Sequence, residues 1–153
     1  MAEQQRDIYT IERPNWHAAV GREHRAVREA AMLFDQTSLG KFVLKGPDAE
    51  AALNWIAAND MSRLVGSLVY TQILNDQGGI ECDLTCVRMA ENEYYIVTGT
   101  GFVTHDFDHI SKNIPAGMNA QLVDVTSAYA VLSLFGPKAR PILRAITSDD
   151  ISN

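Results

Sequence analysis

Hydrophobic and polar residues alternate most cleanly between Gly66 and Arg88, in GSLVYTQILNDQGGIECDLTCVR. Two runs rich in Val, Ile, Leu, Thr and Tyr flank Asn75-Asp76-Gln77-Gly78-Gly79, where adjacent glycines supply the positive φ values of a tight reversal. The stretch predicts a β-hairpin. With a side-chain period of two, Ile80, Cys82, Leu84 and Cys86 share one face of the second strand, and Glu81, Asp83 and Thr85 share the other. From alternation alone, Glu81 and Asp83 line the wet side of a sheet. With a hairpin loop of four or five residues, Asp83 lies opposite Tyr70 or Thr71.

The rest of the chain alternates between helical and extended periods. Asn15 is placed to cap a helix from Trp16 to Ala31, with Val20, Val27, Ala30 and Ala31 as a narrow stripe and a charged back. His24 falls on that stripe and reads as a hydrogen-bonded core histidine. Strands are expected at Met32–Phe34 and Leu39–Lys45. Gly46-Pro47 then turns the chain into a helix from Asp48 to Ala58, striped by Ala49, Ala52, Leu53 and Ile56. Ala90–Glu93 is a turn into a third strand, Tyr94–Thr98, which completes an antiparallel meander with the hairpin. Val103–Asn113 reads as a helix with Phe107 and Ile110 on one face. His105 and His109, four apart, could place two metal ligands together. They lack the glutamate of a zinc-protease helix and an evident third ligand, so they read as a solvated face and no metal is assigned. Gly99-Thr100-Gly101 lacks the third glycine of a dinucleotide loop and follows a meander, so neither flavin nor nicotinamide is placed here.

The chain repeats itself. At an offset of 90, Leu44, Gly46, Pro47, Ala49, Leu53, Ile56, Asp60 and Ser62 fall on Leu134, Gly136, Pro137, Ala139, Leu143, Ile146, Asp150 and Ser152. At 89, Asp35-Gln36-Thr37-Ser38 meets Asp124-Val125-Thr126-Ser127. Each copy reads turn, strand, Gly-Pro, helix, Asp-x-Ser. Pro141 departs from the pattern, and its missing N–H implies that the second helix starts late or bends. The first copy is followed by the hairpin and the second is not, so the second half reads as incomplete, with an apolar surface and strand edge that favour a partner or self-association.

Composition narrows the class. The 153 residues are 46% hydrophobic and 21% charged, which suits one globular domain burying about 70% of its unfolded surface. A net charge of −6 argues against nucleic acid. No apolar run spans a bilayer, and MAEQQRDIY lacks the apolar core of a secretory signal, so the expected location is cytoplasmic, or the mitochondrial matrix for a eukaryotic parent. Cys82 and Cys86, about 13 Å apart along one strand, can form neither a disulfide nor one metal site together and read as buried thiols.

Tyr70-Thr71, Leu74-Asn75, Gly78-Gly79-Ile80 and Asp83-Leu84 together resemble the folate-binding core of the glycine cleavage T-protein family, and more narrowly the tetrahydrofolate domain of dimethylglycine and sarcosine dehydrogenases. Glu23–Glu29, Phe34-Asp35, Gly40-Lys41-Phe42, Gly46-Pro47-Asp48-Ala49, Val97–Thr100 and Gly136–Arg140 follow in the order of that family. The resemblance implies an α+β fold with antiparallel strands, helices on one face and ferredoxin-like halves. It divides the chain into an extension, 1–14, and part of a folate-binding domain, 15–153, with a first half at 32–98 and the start of a second at 121–153. It implies Asp83 as the catalytic carboxylate, with Tyr70, Thr71 and Asp83 lining the folate channel. It further implies tetrahydrofolate as cofactor, with FAD only in a part of the parent enzyme outside this chain. The function so implied is transfer of a methylene unit from a methylated glycine to tetrahydrofolate, with weak or no activity in this piece alone. A folate-binding module without turnover, of the iron–sulfur assembly type, and a vestigial interaction domain are the alternatives.

Overall fold

The computed structural model describes residues 6–152. Among them run α1 (His17–Glu29), β1 (Met32–Asp35), β2 (Gly40–Lys45), α2 (Ala49–Ile56), β3 (Leu68–Leu74), β4 (Ile80–Ala90), β5 (Glu93–Thr98), α3 (Val103–Asn113), β6 (Gln121–Asp124), β7 (Leu132–Phe135) and α4 (Ala139–Arg144). The α+β, antiparallel expectation holds. The elements gather into two compact units: Gln36–Val131, and the residues up to Asp35 together with those from Leu132 on.

The unit from Gln36 to Val131 is built on a five-stranded antiparallel sheet, ordered β3-β4-β5-β2-β6. Its core face carries Phe42 and Leu44 from β2, Ile73 from β3, Cys82, Leu84 and Cys86 from β4, and Tyr94 and Ile96 from β5. Helix α2 closes that face with Ala49, Ala52, Leu53 and Ile56, the stripe read from the sequence, and α3 adds Ile110. Each large aliphatic side chain buried there contributes about 1.5–3 kcal/mol of transfer free energy.

The other unit pairs β1 with β7, Met32 opposite Phe135 and Asp35 opposite Leu132. None of the residues of α1 or α4 is fully buried, and Leu33, Leu132, Phe135, Ile142 and Ile146 are exposed. Between α1 and β7 lies a groove of about 610 Å³ lined by Val20, His24, Val27, Phe34, Phe135 and Pro137. His24 is exposed, not a core residue.

The repeat is real down to single hydrogen bonds. Gly46 (φ +137°) and Gly136 (φ +119°) make the same turn, closed by Ala49 N–H to the Gly46 carbonyl and by Ala139 N–H to the Gly136 carbonyl, both 3.0 Å. Both Asp-x-Ser motifs fold alike, with Ser62 N–H on Asp60 Oδ1 at 2.8 Å and Ser152 N–H on Asp150 Oδ1 at 2.9 Å. Each copy takes its neighbouring strand from the other. Strand β2 pairs with β6, just upstream of the second copy, and β7 pairs with β1, just upstream of the first.

Several local expectations are corrected. Helix α1 begins at His17 behind Trp16, because Asn15 spends its side chain on Ile8 N–H and the Arg6 carbonyl, both 3.0 Å. Pro141 is the third residue of α4, within the first turn, where backbone donors have no intrahelical acceptor, so it neither delays nor bends the helix. In the hairpin, a register shift leaves Glu81 out of the β3–β4 ladder and sets Leu74 opposite Ile80. The bulge turns Ile80 out of the core face, and it is 66% exposed.

Candidate functional site

Asp83 stands on the solvent face of β4, opposite Gln72 of β3. Neither Tyr70 nor Thr71 is its direct partner, because the bulge at Glu81 advances the register. Gln72 Nε2 donates to Asp83 Oδ1 at 3.4 Å. Tyr70 shares the face, opposite Thr85 and diagonal to Asp83. Its phenol is held above its ordinary 10.0, first by hydrogen bonding to the Asp83 carboxylate and then by partial desolvation. Thr71 points the other way: it is buried on the core face, its hydroxyl donating to the Gln72 carbonyl at 3.2 Å. The structure thus gathers Asp83, Tyr70 and Gln72 and separates Thr71 from them by the thickness of the sheet.

The surface beside this acid is apolar. Leu68, Val87, Tyr95, Val43 and Val123 are directly opposed in register, so one row of side chains crosses all five strands on the outer face. Tyr129 meets Tyr95 edge-on at 5.8 Å between ring centroids. In the adjacent row, Tyr70, Thr85, Val97 and Lys41 are opposed in the same way. Lys41 is completely buried, its ammonium donating to the carbonyls of Thr37 at 2.7 Å and Tyr129 at 2.8 Å. This lysine ties down the loop that carries Tyr129. At the β3 edge a groove of about 430 Å³ is lined by Asn59, Arg63, Ser67, Leu68, Val69 and Tyr70. Asn59 donates to the Tyr70 carbonyl at 3.1 Å, and Arg63 pairs with Asp60 at 3.4 Å.

A fixed carboxylate with no salt bridge among the described residues, flanked by a phenol and an amide and bordered by an aromatic and aliphatic floor, can accept hydrogen bonds from a flat polar heterocycle and hold a developing positive charge. Gln72 and Lys41 escaped the sequence reading. Only the strand register identifies Gln72, and only the fold shows the two carbonyls that enclose Lys41.

On α3 the two histidines do stack, rings parallel at 6.0 Å. His105 nonetheless turns to other partners. Its Nδ1 lies 2.9 Å from Asp106 Oδ1 and its Nε2 lies 3.5 Å from Glu81. Asp106 is buried and also accepts a short hydrogen bond from the Thr98 hydroxyl.

An antiparallel sheet covered by helices on one face, with an acid and an apolar floor on the other, defines a one-sided α+β sandwich. The chain belongs to the GCVT N-terminal domain family, whose profile matches residues 3–153. It is 35% identical to the mitochondrial sarcosine dehydrogenase of Homo sapiens over 96% of this chain, and 37% identical to the formaldehyde-forming 4-methylaminobutanoate oxidase of Paenarthrobacter nicotinovorans over 95%. The chain spans 18% of the length of each of these relatives. The crystal structure of the glycine cleavage system aminomethyltransferase T from Bartonella henselae superposes with a TM-score of 0.75 at 29% identity, over 81% of this chain and 34% of that one. No helix among the described residues is long and apolar enough to cross a membrane.

Proposed function

We infer that residues 15–153 are part of the folate-binding domain of a demethylating enzyme, which transfers a methylene unit from a methylated glycine to tetrahydrofolate. The observation that carries this reading is the placement of Asp83: a carboxylate on a rigid strand, beside Tyr70 and Gln72, at the edge of an apolar sheet face. The donor set fits a reduced pterin, whose ring N–H groups seek a carboxylate and whose plane lies on apolar and aromatic side chains. Tetrahydrofolate, when bound, supplies the nucleophilic ring nitrogen that takes up the carbon. Asp83 accepts a proton or balances positive charge at its Oδ atoms, Gln72 fixes the carboxylate, and Tyr70 walls the site.

The oxidation that releases the carbon belongs to a flavin held outside these residues. Exposed Leu132, Phe135 and Ile146 are surfaces for a further segment of the parent enzyme or for self-association. Two free buried thiols suit a reducing compartment, the cytoplasm or the mitochondrial matrix.

The test is a calorimetric titration of the chain with tetrahydrofolate, beside the Asp83→Ala variant. Saturable binding that weakens at least tenfold in the variant supports the reading. Equal binding by both removes Asp83 from the site, and no binding by the folded wild type places the folate site elsewhere.

A further inference from the structure

Beneath the sheet face just described, on its core side, three chemically different side chains converge: the Cys82 thiol from β4, and the His105 imidazole and Asp106 carboxylate from α3. Their ligand atoms all lie within 4.8 Å of one another, and they are the only three His, Cys, Asp or Glu residues so grouped among the described residues. We propose that Cys82, His105 and Asp106 form a binding site for a zinc-like divalent cation, with a fourth position open to solvent on the His105 side.

The ligand set suits such an ion. Thiolate, imidazole and carboxylate are the three donors zinc accepts, and three protein ligands with one open position is a recurrent arrangement. Four donors at about 2.0–2.3 Å around a tetrahedral ion stand roughly 3.3–3.8 Å apart. The observed spread therefore closes by about 1 Å, a movement of side chains and not of backbone. Cys82 and Asp106 are buried, whereas the His105 side chain is half exposed, which leaves an entry path on one side.

The surroundings argue for more than coincidence. A metal-bound imidazole commonly gives its second N–H to a carboxylate that fixes the ring. Glu81 stands in that place, its Oε2 3.5 Å from His105 Nε2, and is itself held by Asn75 Nδ2 donating to Oε1 at 2.8 Å. Thr98 holds the far oxygen of Asp106, leaving Oδ1 turned toward His105 Nδ1. The bulge at Glu81 now has a use: it takes Glu81 out of the β-ladder and toward α3. Without a cation, burial and then the Asp106 charge push the Cys82 thiol up to about 12. Binding therefore releases the thiol proton to solvent, together with any proton shared between Nδ1 and Oδ1.

Cobalt(II) reports each ligand separately. The chelator-treated chain is titrated with Co²⁺ and then with Zn²⁺. The expected result is a 1:1 complex with a near-ultraviolet thiolate-to-cobalt charge-transfer band and visible bands of four-coordinate intensity, both displaced by Zn²⁺. Cys86→Ala leaves the charge-transfer band, and Cys82→Ser removes it. His105→Ala, at a half-exposed position that folding tolerates, lowers Co²⁺ affinity at least tenfold, and Glu81→Gln lowers it about tenfold. Absence of the charge-transfer band in the wild type overturns the proposal. So does Co²⁺ binding that His105→Ala leaves unchanged.

Discussion

The side chains of Gln72 and Asp83 face each other across neighbouring strands, amide nitrogen to carboxylate oxygen at 3.4 Å. Nothing in the core depends on that pair, because both side chains are on the outer face of the sheet. Removing either should therefore change ligand binding without changing stability. Asp83→Ala and Gln72→Ala are expected to keep unfolding free energies within about 0.5 kcal/mol of wild type. Tetrahydrofolate affinity should fall at least tenfold for the first and a few-fold for the second. Urea unfolding beside calorimetric titration checks both halves of the expectation, and a destabilised Asp83→Ala would contradict it.

Gly46 is a position where sequence and geometry leave no choice. Its φ is +137°, and a Cβ there would lie 2.1 Å from the Asn119 carbonyl oxygen. Gly46→Ala combines strain and collision with backbone, so a loss of about 2–4 kcal/mol is expected. Gly21 supplies the control: beyond its chain neighbours and the backbone of its own helix, no atom lies within 4 Å of its hypothetical Cβ, so Gly21→Ala in α1 should be neutral or stabilising by up to about 1 kcal/mol. Thermal unfolding of the two variants separates the effects.

Lys41 holds two loop carbonyls with one buried ammonium. Lys41→Met keeps the aliphatic stem and deletes both hydrogen bonds, leaving two carbonyls short of a donor. A loss of about 1–3 kcal/mol is expected, accompanied by faster amide exchange around Tyr129. Exchange unchanged in that loop would show that the lysine is not what anchors it.

Asp124 gives a pH dependence of definite sign. The Thr126 hydroxyl and backbone N–H hold its carboxylate below the ordinary 3.8, the backbone bond measuring 2.8 Å. A depressed folded value means stabilisation that is present above the unfolded value and lost as pH falls through the folded one. Asp124→Asn should therefore be slightly less stable than wild type at pH 7, by about 0.3 kcal/mol after solvent screening at this exposed site, with a smaller gap at pH 3. Denaturant midpoints at the two pH values give the comparison, and a gap undiminished in acid would refute the assignment.

The core-facing pattern was legible because it is local. Phe42 and Leu44, the stripe Ala49-Ala52-Leu53-Ile56, and Cys82-Leu84-Cys86 each follow from a period of 2 or 3.6, and each is buried. Helix α3 was placed to the residue for the same reason. What escaped was register and long-range packing. One bulge at Glu81 moved Asp83 from Tyr70 or Thr71 to Gln72, which no count of alternating residues could show. A hairpin loop of five residues sets Thr71 opposite Asp83, yet with the bulge Thr71 pairs with Leu84 and faces the core. Lys41 looks solvated on any strand pattern until the loop from Val125 to Tyr129 closes over it. The spacing on one helix sets His105 beside His109, and the rings do stack, but the polar partners of His105 are its neighbour Asp106 and Glu81 of β4, which no helical spacing reveals.

The exchange of strands between the two repeat copies fixes an order of events during synthesis. Every strand pair of the five-stranded sheet forms from residues 40–124, so that unit can close as soon as β6 emerges. Strand β1 leaves the ribosome before that sheet, but its partner β7 follows about a hundred residues later. Until then α1 and β1 have no native strand to join, and their loop-closure cost falls once the intervening segment has collapsed into a compact body. Helix α1 and strand β1 are thus made before the five-stranded sheet and find their strand partner after it.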